Sequence, residues 1–212
     1  MGISERKERE KEQRRNDIID AAERIFISRG VERSTMDDIA EEAELSKGTL
    51  YLYYKSKDDI QFAIFRRGAE ILIQSMEKNI ASKTNGYEKL LELAATTVWF
   101  SQTHANYFQF FMKFESSQLN NLNIERSAAE KYFREESPLA VVDRCVEKGI
   151  EDGSLRSDIQ PRIFSATLWT QMLGLMVIIN NKTELYRMFS INPADILQTH
   201  LTLVSEGALK KK

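Results

Sequence analysis

The stretch STMDDIAEEAELSKGTLYLYYKSKDDI, residues 34–60, decides the fold. Thr35 precedes Met36, Ile39, Ala40 and Ala43, with Asp38 three residues on, which is a capping-box pattern opening a short helix. Ser46 can cap a helix running to about Tyr54, and Ser56 with Asp59 can cap another that carries Ile60, Ile64, Ile71 and Met76. Working upstream, Ile18, Ile19, Ala22, Ile25 and Phe26 repeat at helical spacing, and Gly30 follows where a left-handed cap would stop helix one. Two short helices, 35–43 and 46–54, joined by a turn of about three residues, have the size of a helix-turn-helix. Leu45, Leu50 and Tyr54 then face helix one, and Lys47, Gly48, Thr49, Tyr51 and Leu52 occupy the opposite face. About eight residues make a rod of roughly 12 Å, comparable to the width of the major groove of B-DNA.

The composition is compatible with that reading but does not demand it. The 212 residues are 42% hydrophobic and 29% charged, within the globular range. Thirty basic against 32 acidic side chains leave a formal charge of -2, so any nucleic acid must be met locally. Locally the balance differs: residues 45–57 carry Lys47, Lys55 and Lys57 and no acid, whereas 16–44 carry nine acids against three arginines. Such a narrow basic stripe implies few phosphate contacts per subunit and a salt-sensitive affinity. Arg6, Lys7, Arg9, Lys11, Arg14 and Arg15 form a charged arm over residues 1–15. The arm could reach a minor groove or phosphates, or be a solvated extension of helix one with Glu5/Arg9 and Glu10/Arg14 ion pairs.

Three prolines, nine glycines and no period-2 alternation predict an all-α chain. Beyond residue 80 the spacing predicts a helix after Gly86 with Leu90, Leu91, Ala94, Val98 and Trp99, then an aromatic-rich stretch, 107–114, and a polar loop, 116–123. A helix over about 125–148 is expected to bend at Pro138, and Gly149, Gly153 and Pro161 to mark a turn. Pro161 then opens a helix with an apolar stripe from Leu168 to Ile179, and Pro193 opens the last. The longest apolar run, 172–179, is far short of the roughly 20 residues of a bilayer span and reads as a buried helix, so no membrane partner is expected. A single Cys145, no zinc-like spacing and no secretory apolar region fit the cytoplasm.

Residues 34–60, with the helix-one pattern ending at Gly30, resemble the helix-turn-helix signature of the TetR (tetracycline repressor) family of bacterial transcription factors. The resemblance implies a three-helix DNA-binding domain over 16–60 and a larger helical effector-binding and dimerisation domain over 61–212. It assigns Lys47, Gly48, Thr49, Tyr51 and Leu52 to the groove-facing surface, and Thr35, Tyr53 and Lys57 to positions that hold phosphates. It also implies a homodimer on a palindrome of double-stranded operator DNA, with repression relieved by a small molecule. One departure is Glu44, where the family usually has Gly in the turn. A Cβ at positive φ costs on the order of 1 kcal/mol relative to Gly.

For the effector the sequence offers composition. Trp99, His104, Phe108, Phe111, Met112, Trp169 and Met172 supply aromatic and soft apolar surface for a cavity, which predicts a mostly apolar effector; such residues are more often plain core. His104 lacks a partner at metal-ligand spacing, so no metal and no cofactor is expected. No paired acid and base or nucleophile with its base is recognisable, so an enzyme is not expected. A helical adaptor or an enzyme whose head does not bind DNA is the alternative.

Overall fold

The computed structural model describes residues 2–114 and 116–209, and among them there is no strand. The described residues within 1–67 and 109–129 pack as one unit and those within 68–108 and 130–212 as a second. This packing division does not coincide with the sequence division at residue 60, because residues 109–129 join the first unit.

In the first unit, α1 (Ile3–Arg29) runs unbroken from the charged arm into the core. Gly30 ends it at φ 80, ψ 154, a positive-φ extended conformation rather than the left-handed helical one, while its N–H still reaches the Phe26 carbonyl. Next come α2 (Met36–Glu42), α3 (Lys47–Tyr53) and the first part of α4 (Lys57–Ile80). The predicted periodicity places Ile18, Ala22, Ile39, Leu50, Ile60 and Ile64 at zero exposure, the shared core of these helices. Arg67 ties α4 to α1 through the Asp20 and Glu23 carboxylates and the Asn16 amide oxygen. The second half of α6 (Ala105–Lys113) and Phe114 add rings to this unit: Phe111 meets Phe65 edge-on at 5.0 Å, and Phe114 lies 4.9 Å from Phe65 and 5.7 Å from Phe62.

The α2–α3 turn contains the departure noted in the sequence. Glu44 sits at φ 55, where its Cβ is crowded and glycine would not be. Glu44→Gly is therefore expected to raise stability slightly, by about 0.5 kcal/mol after the extra unfolded-chain entropy of glycine is subtracted. Urea unfolding of the two proteins side by side checks this, and an unchanged or lower midpoint contradicts it.

The second unit is built on α5 (Gly86–Thr103), α8 (Pro138–Glu151), α9 (Pro161–Met188) and α10 (Pro193–Ala208), with α5 packed on α8 and α9, α8 on α9, and α9 on α10. The expected single bent helix over 125–148 is instead α7 (Arg126–Lys131), a wide turn over Tyr132–Glu136, and α8. Ser137, pushed to an extended ψ of 164 by the proline ring that follows, separates them, so Pro138 starts a helix rather than bending one. Gly149 is likewise inside α8 rather than in a turn, because α5 begins against it. The Gly86 N–H donates to Asp152 Oδ2 (2.9 Å) and the Tyr87 N–H to Ser154 Oγ (3.1 Å), so the loop after α8 satisfies the first donors of α5. Arg156 closes the other end of the same corner, its backbone N–H donating to the Ala208 carbonyl and its guanidinium to that of Gly207. Burial pushes the Cys145 thiol up to about 11, so it stays protonated and serves as a small apolar side chain.

One face of α9 is covered by α5, α8 and α10, with Ser165, Met172 and Met176 buried there. The other is open: Ile163 is 64% and Ile178 42% exposed, as is Leu203 of α10 at 64%. By length and composition alone α9 could cross a membrane, a longer apolar span than its uninterrupted run suggests.

Candidate nucleic-acid interface

Side-chain caps open α2, α3 and α4 in turn. Thr35 Oγ1 accepts from the Asp38 N–H (3.1 Å), and Asp38 Oδ2 accepts from both the Thr35 N–H (2.8 Å) and its hydroxyl (2.7 Å), completing the capping box expected from the sequence. Hydrogen bonds from Thr35, with Arg29 behind them, hold the Asp38 carboxyl below its ordinary value. Ser46 Oγ accepts from the Thr49 N–H (3.1 Å) to start α3. Ser56 Oγ accepts from the Asp59 N–H while Asp59 Oδ2 accepts from the Ser56 N–H, starting α4.

With Leu50 fully buried, the 100° step of the helix turns Lys47, Gly48, Tyr51 and Leu52 outward. Leu52 is 77% exposed, an apolar side chain that nothing in the unit covers. Around Gly48 a Cβ would meet only Ser46 Oγ, at 3.9 Å, so the surface is flat and open to a close approach. Thr49 is half-buried, its hydroxyl 2.8 Å from that of Ser46.

Two of the three residues expected to hold phosphates are hydrogen-bonded within the protein. The Thr35 hydroxyl donates to Asp38. Lys57 is half-buried and its ammonium donates to the carbonyls of Val31 (2.8 Å) and Ser34 (3.0 Å), tying down the loop between α1 and α2. Tyr53 is half-buried on α3. Sequence reasoning missed two contacts altogether: Lys55 Nζ donates to the Tyr51 carbonyl (2.6 Å), and Lys47 Nζ to Asp37 Oδ2 (2.7 Å), which raises the ammonium pKa. A basic i to acidic i−10 relation across a turn carries no periodic signal.

The family profile of bacterial regulatory proteins, tetR family, matches residues 18–64, the span of these helices. The chain is 27% identical over 146 residues to the fatty acid metabolism regulator protein of Bacillus subtilis (strain 168), covering 69% of this chain and 73% of that one. Its fold resembles that of a tetR-family transcription regulator from Shewanella sp. PV-4, at TM-score 0.70 and 16% identity over 93% of this chain and 99% of the other. It also resembles Bacillus subtilis FadR solved with stearoyl-CoA, at TM-score 0.65 and 23% identity over 90% of this chain and 97% of the other.

Together these matches indicate a TetR-family regulator, with the family signature lying in residues 18–64. It is a transcription regulator with a DNA-binding helix-turn-helix head and a larger helical domain.

The second unit has a cavity of about 640 Å3, part of it open to solvent. Its wall comes from α5, α8, α9 and α10, with Leu155 from the loop between α8 and α9. Trp169 and Met172 lie on this wall; Trp99, His104, Phe108, Phe111 and Met112 do not. His104 caps the end of α5 with its ring 5.2 Å from that of Phe100 and 5.3 Å from that of Trp99. Phe108 is core, Met112 is exposed, and Phe111 belongs to the ring cluster of the first unit. The hydroxyls on the wall are internally satisfied: Tyr87 donates to Ser205 Oγ (3.0 Å), Ser205 to the Leu201 carbonyl (2.7 Å), and Thr97 to that of Leu93 (2.8 Å). A cavity so lined favours apolar contents.

Proposed function

We propose that this regulator is a cytoplasmic repressor that binds palindromic operator DNA as a homodimer and is released by a small, mostly apolar effector. The observation that carries the reading is the doubly capped α2–α3 pair presenting Lys47, Gly48, Tyr51 and Leu52 on one exposed face. Lys47 can donate to guanine or phosphate, Gly48 permits close backbone approach, and Thr49 and Leu52 can touch a thymine methyl. In this reading Thr35, Tyr53 and Lys57 orient the head on phosphates rather than specify sequence, Lys57 once released from the carbonyls of Val31 and Ser34.

The open face of α9 and α10 supports a second copy as partner. Besides Ile163, Ile178 and Leu203 it includes Gly174 and Gly207, at neither of which a Cβ would meet any atom within 4 Å. Two chains joined there would supply the two half-sites of a palindrome. A membrane is the poorer occupant, since the opposite face of α9 is already packed against α5, α8 and α10.

The effector reading draws on the apolar cavity, on the resemblance to a fatty acid metabolism regulator, and on FadR having been solved with stearoyl-CoA. A long-chain acyl group fits these best. Because the wall includes α9 and α10, an effector there would act on the helices proposed to join the two chains, and so on the separation of the heads. Such coupling requires unequal affinity for the DNA-bound and free states.

The test is a mobility-shift titration on the DNA upstream of the protein's own coding region, over a salt series. A sequence-dependent shift that weakens with salt is expected, reduced at least tenfold by Lys47→Ala with Tyr51→Ala and relieved by a long-chain acyl-CoA. An adaptor or an enzyme predicts no sequence-dependent shift, and relief by sugars or ions alone would remove the effector reading.

A further inference from the structure

We propose that Asp37 is an internal competitor for the operator: its carboxylate occupies the Lys47 ammonium and thereby sets the affinity and salt dependence of DNA binding. This rests on the operator-binding reading above. Among the three lysines of residues 45–57, the partners differ in kind. Lys55 and Lys57 donate to backbone carbonyls, which are neutral dipoles and leave the positive charge uncancelled. Lys47 instead meets a carboxylate, Asp37 Oδ2 at 2.7 Å, which cancels its charge. Both partners are 61% exposed, so the pair sits in water on the face that carries Gly48 and Tyr51.

Asp37 lies in the first turn of α2, the helix that crosses the sugar–phosphate backbone when α3 enters a groove. A DNA oxygen that takes up Lys47 must displace Asp37, and the displaced carboxylate is left beside phosphates of the same sign. An exposed ion pair is weak enough to be exchanged in this way, yet it subtracts from every binding event. Exchange of one anion for another also releases little counterion, whereas a free lysine at a phosphate adds about 0.9 to the slope of log affinity against log salt. Lys47 therefore contributes almost nothing to that slope while Asp37 is present.

The experiment uses the full-length protein and a 30-bp duplex selected by the wild type from a random-sequence pool, with an unselected duplex beside it. Asp37→Asn is expected to tighten binding to the selected duplex roughly tenfold near 0.1 M salt and to steepen the salt slope by about one unit per subunit. In a Lys47→Met background the same substitution should leave the slope unchanged, because no ammonium is freed. A thermal midpoint within a degree or two of wild type, and the same result with Asp37→Ala, separates the effect from a folding defect. Unchanged or weaker binding by Asp37→Asn overturns the proposal, weaker binding meaning that Asp37 itself contacts a base such as cytosine. A gain that persists undiminished with Lys47→Met overturns it too, because Asp37 would then act by plain repulsion. If the wild type selects no duplex, the operator reading fails with it; if it selects one and Asp37→Asn does nothing, only the competitor role is lost.

Discussion

Gly86→Ala is expected to destabilise the second unit by about 3 kcal/mol or more, lowering its thermal midpoint by roughly 6–12 °C. A Cβ at residue 86 would lie 2.1 Å from the Gly149 nitrogen and 2.2 Å from its Cα, with the Cys145 carbonyl at 2.6 Å. All three are backbone atoms of α8, so relief requires one helix to move away from the other. Moving α5 also breaks the Gly86–Asp152 and Tyr87–Ser154 hydrogen bonds that satisfy its first turn. Gly149→Ala is the informative comparison. Its Cβ meets Leu155 Cδ1 at 2.6 Å, the end of a side chain that can rotate, so the loss should be smaller. Calorimetry of the three proteins gives the order, and an equal or reversed ranking would sink the explanation by backbone contact.

Ile178→Glu combined with Leu203→Glu is expected to convert the proposed dimer to monomer at micromolar concentration and to lower operator affinity at least 100-fold. Each site places an apolar side chain, 42% and 64% exposed, on the open face of α9 and α10, so a single chain loses little core when a carboxylate replaces it. Between two chains the same carboxylates would be buried without partners, at a cost of several kcal/mol. A monomer grips one half-site where a dimer grips two, which is why the affinity falls with the assembly. Light scattering and the mobility shift read the two effects separately. A wild type that is already monomeric, or a double variant that remains dimeric, would remove the proposed interface.

Much of the head was legible because its determinants are neighbours in sequence. Thr35 with Asp38, Ser46 with Thr49 and Ser56 with Asp59 are each three residues apart, the distance at which a capping side chain meets a backbone N–H. Pro161 and Pro193 open helices where their rings demand it. Pro138 obeyed the same rule, but the apolar spacing on both sides suggested continuity, and only the extended Ser137 distinguished a start from a bend. The positive φ at Glu44 was signalled only by the resemblance, which marks that turn position as one where the family usually has Gly.

The candidate effector site was far less legible. Trp169 and Met172, three apart on α9, line the cavity; the aromatic stretch of α6, which composition favours equally, packs elsewhere. Nothing in a run such as Phe110, Phe111 and Phe114 says which rings meet Phe26, Phe62 and Phe65 and which face empty space.

The sequence by itself determined the all-helical class, the helix-turn-helix and the outward exposure of Lys47, Gly48, Tyr51 and Leu52, since caps and 3.6-residue periodicity act over one or two turns of the chain. Tertiary structure alone decided that Asp37 neutralises Lys47, that Lys57 is held by the loop at Val31 and Ser34, that Gly86 must be bare against Gly149, and that α5, α8, α9 and α10 enclose the cavity. Each of these depends on the approach of segments brought together by core packing, a relation that local propensity and charge balance do not encode.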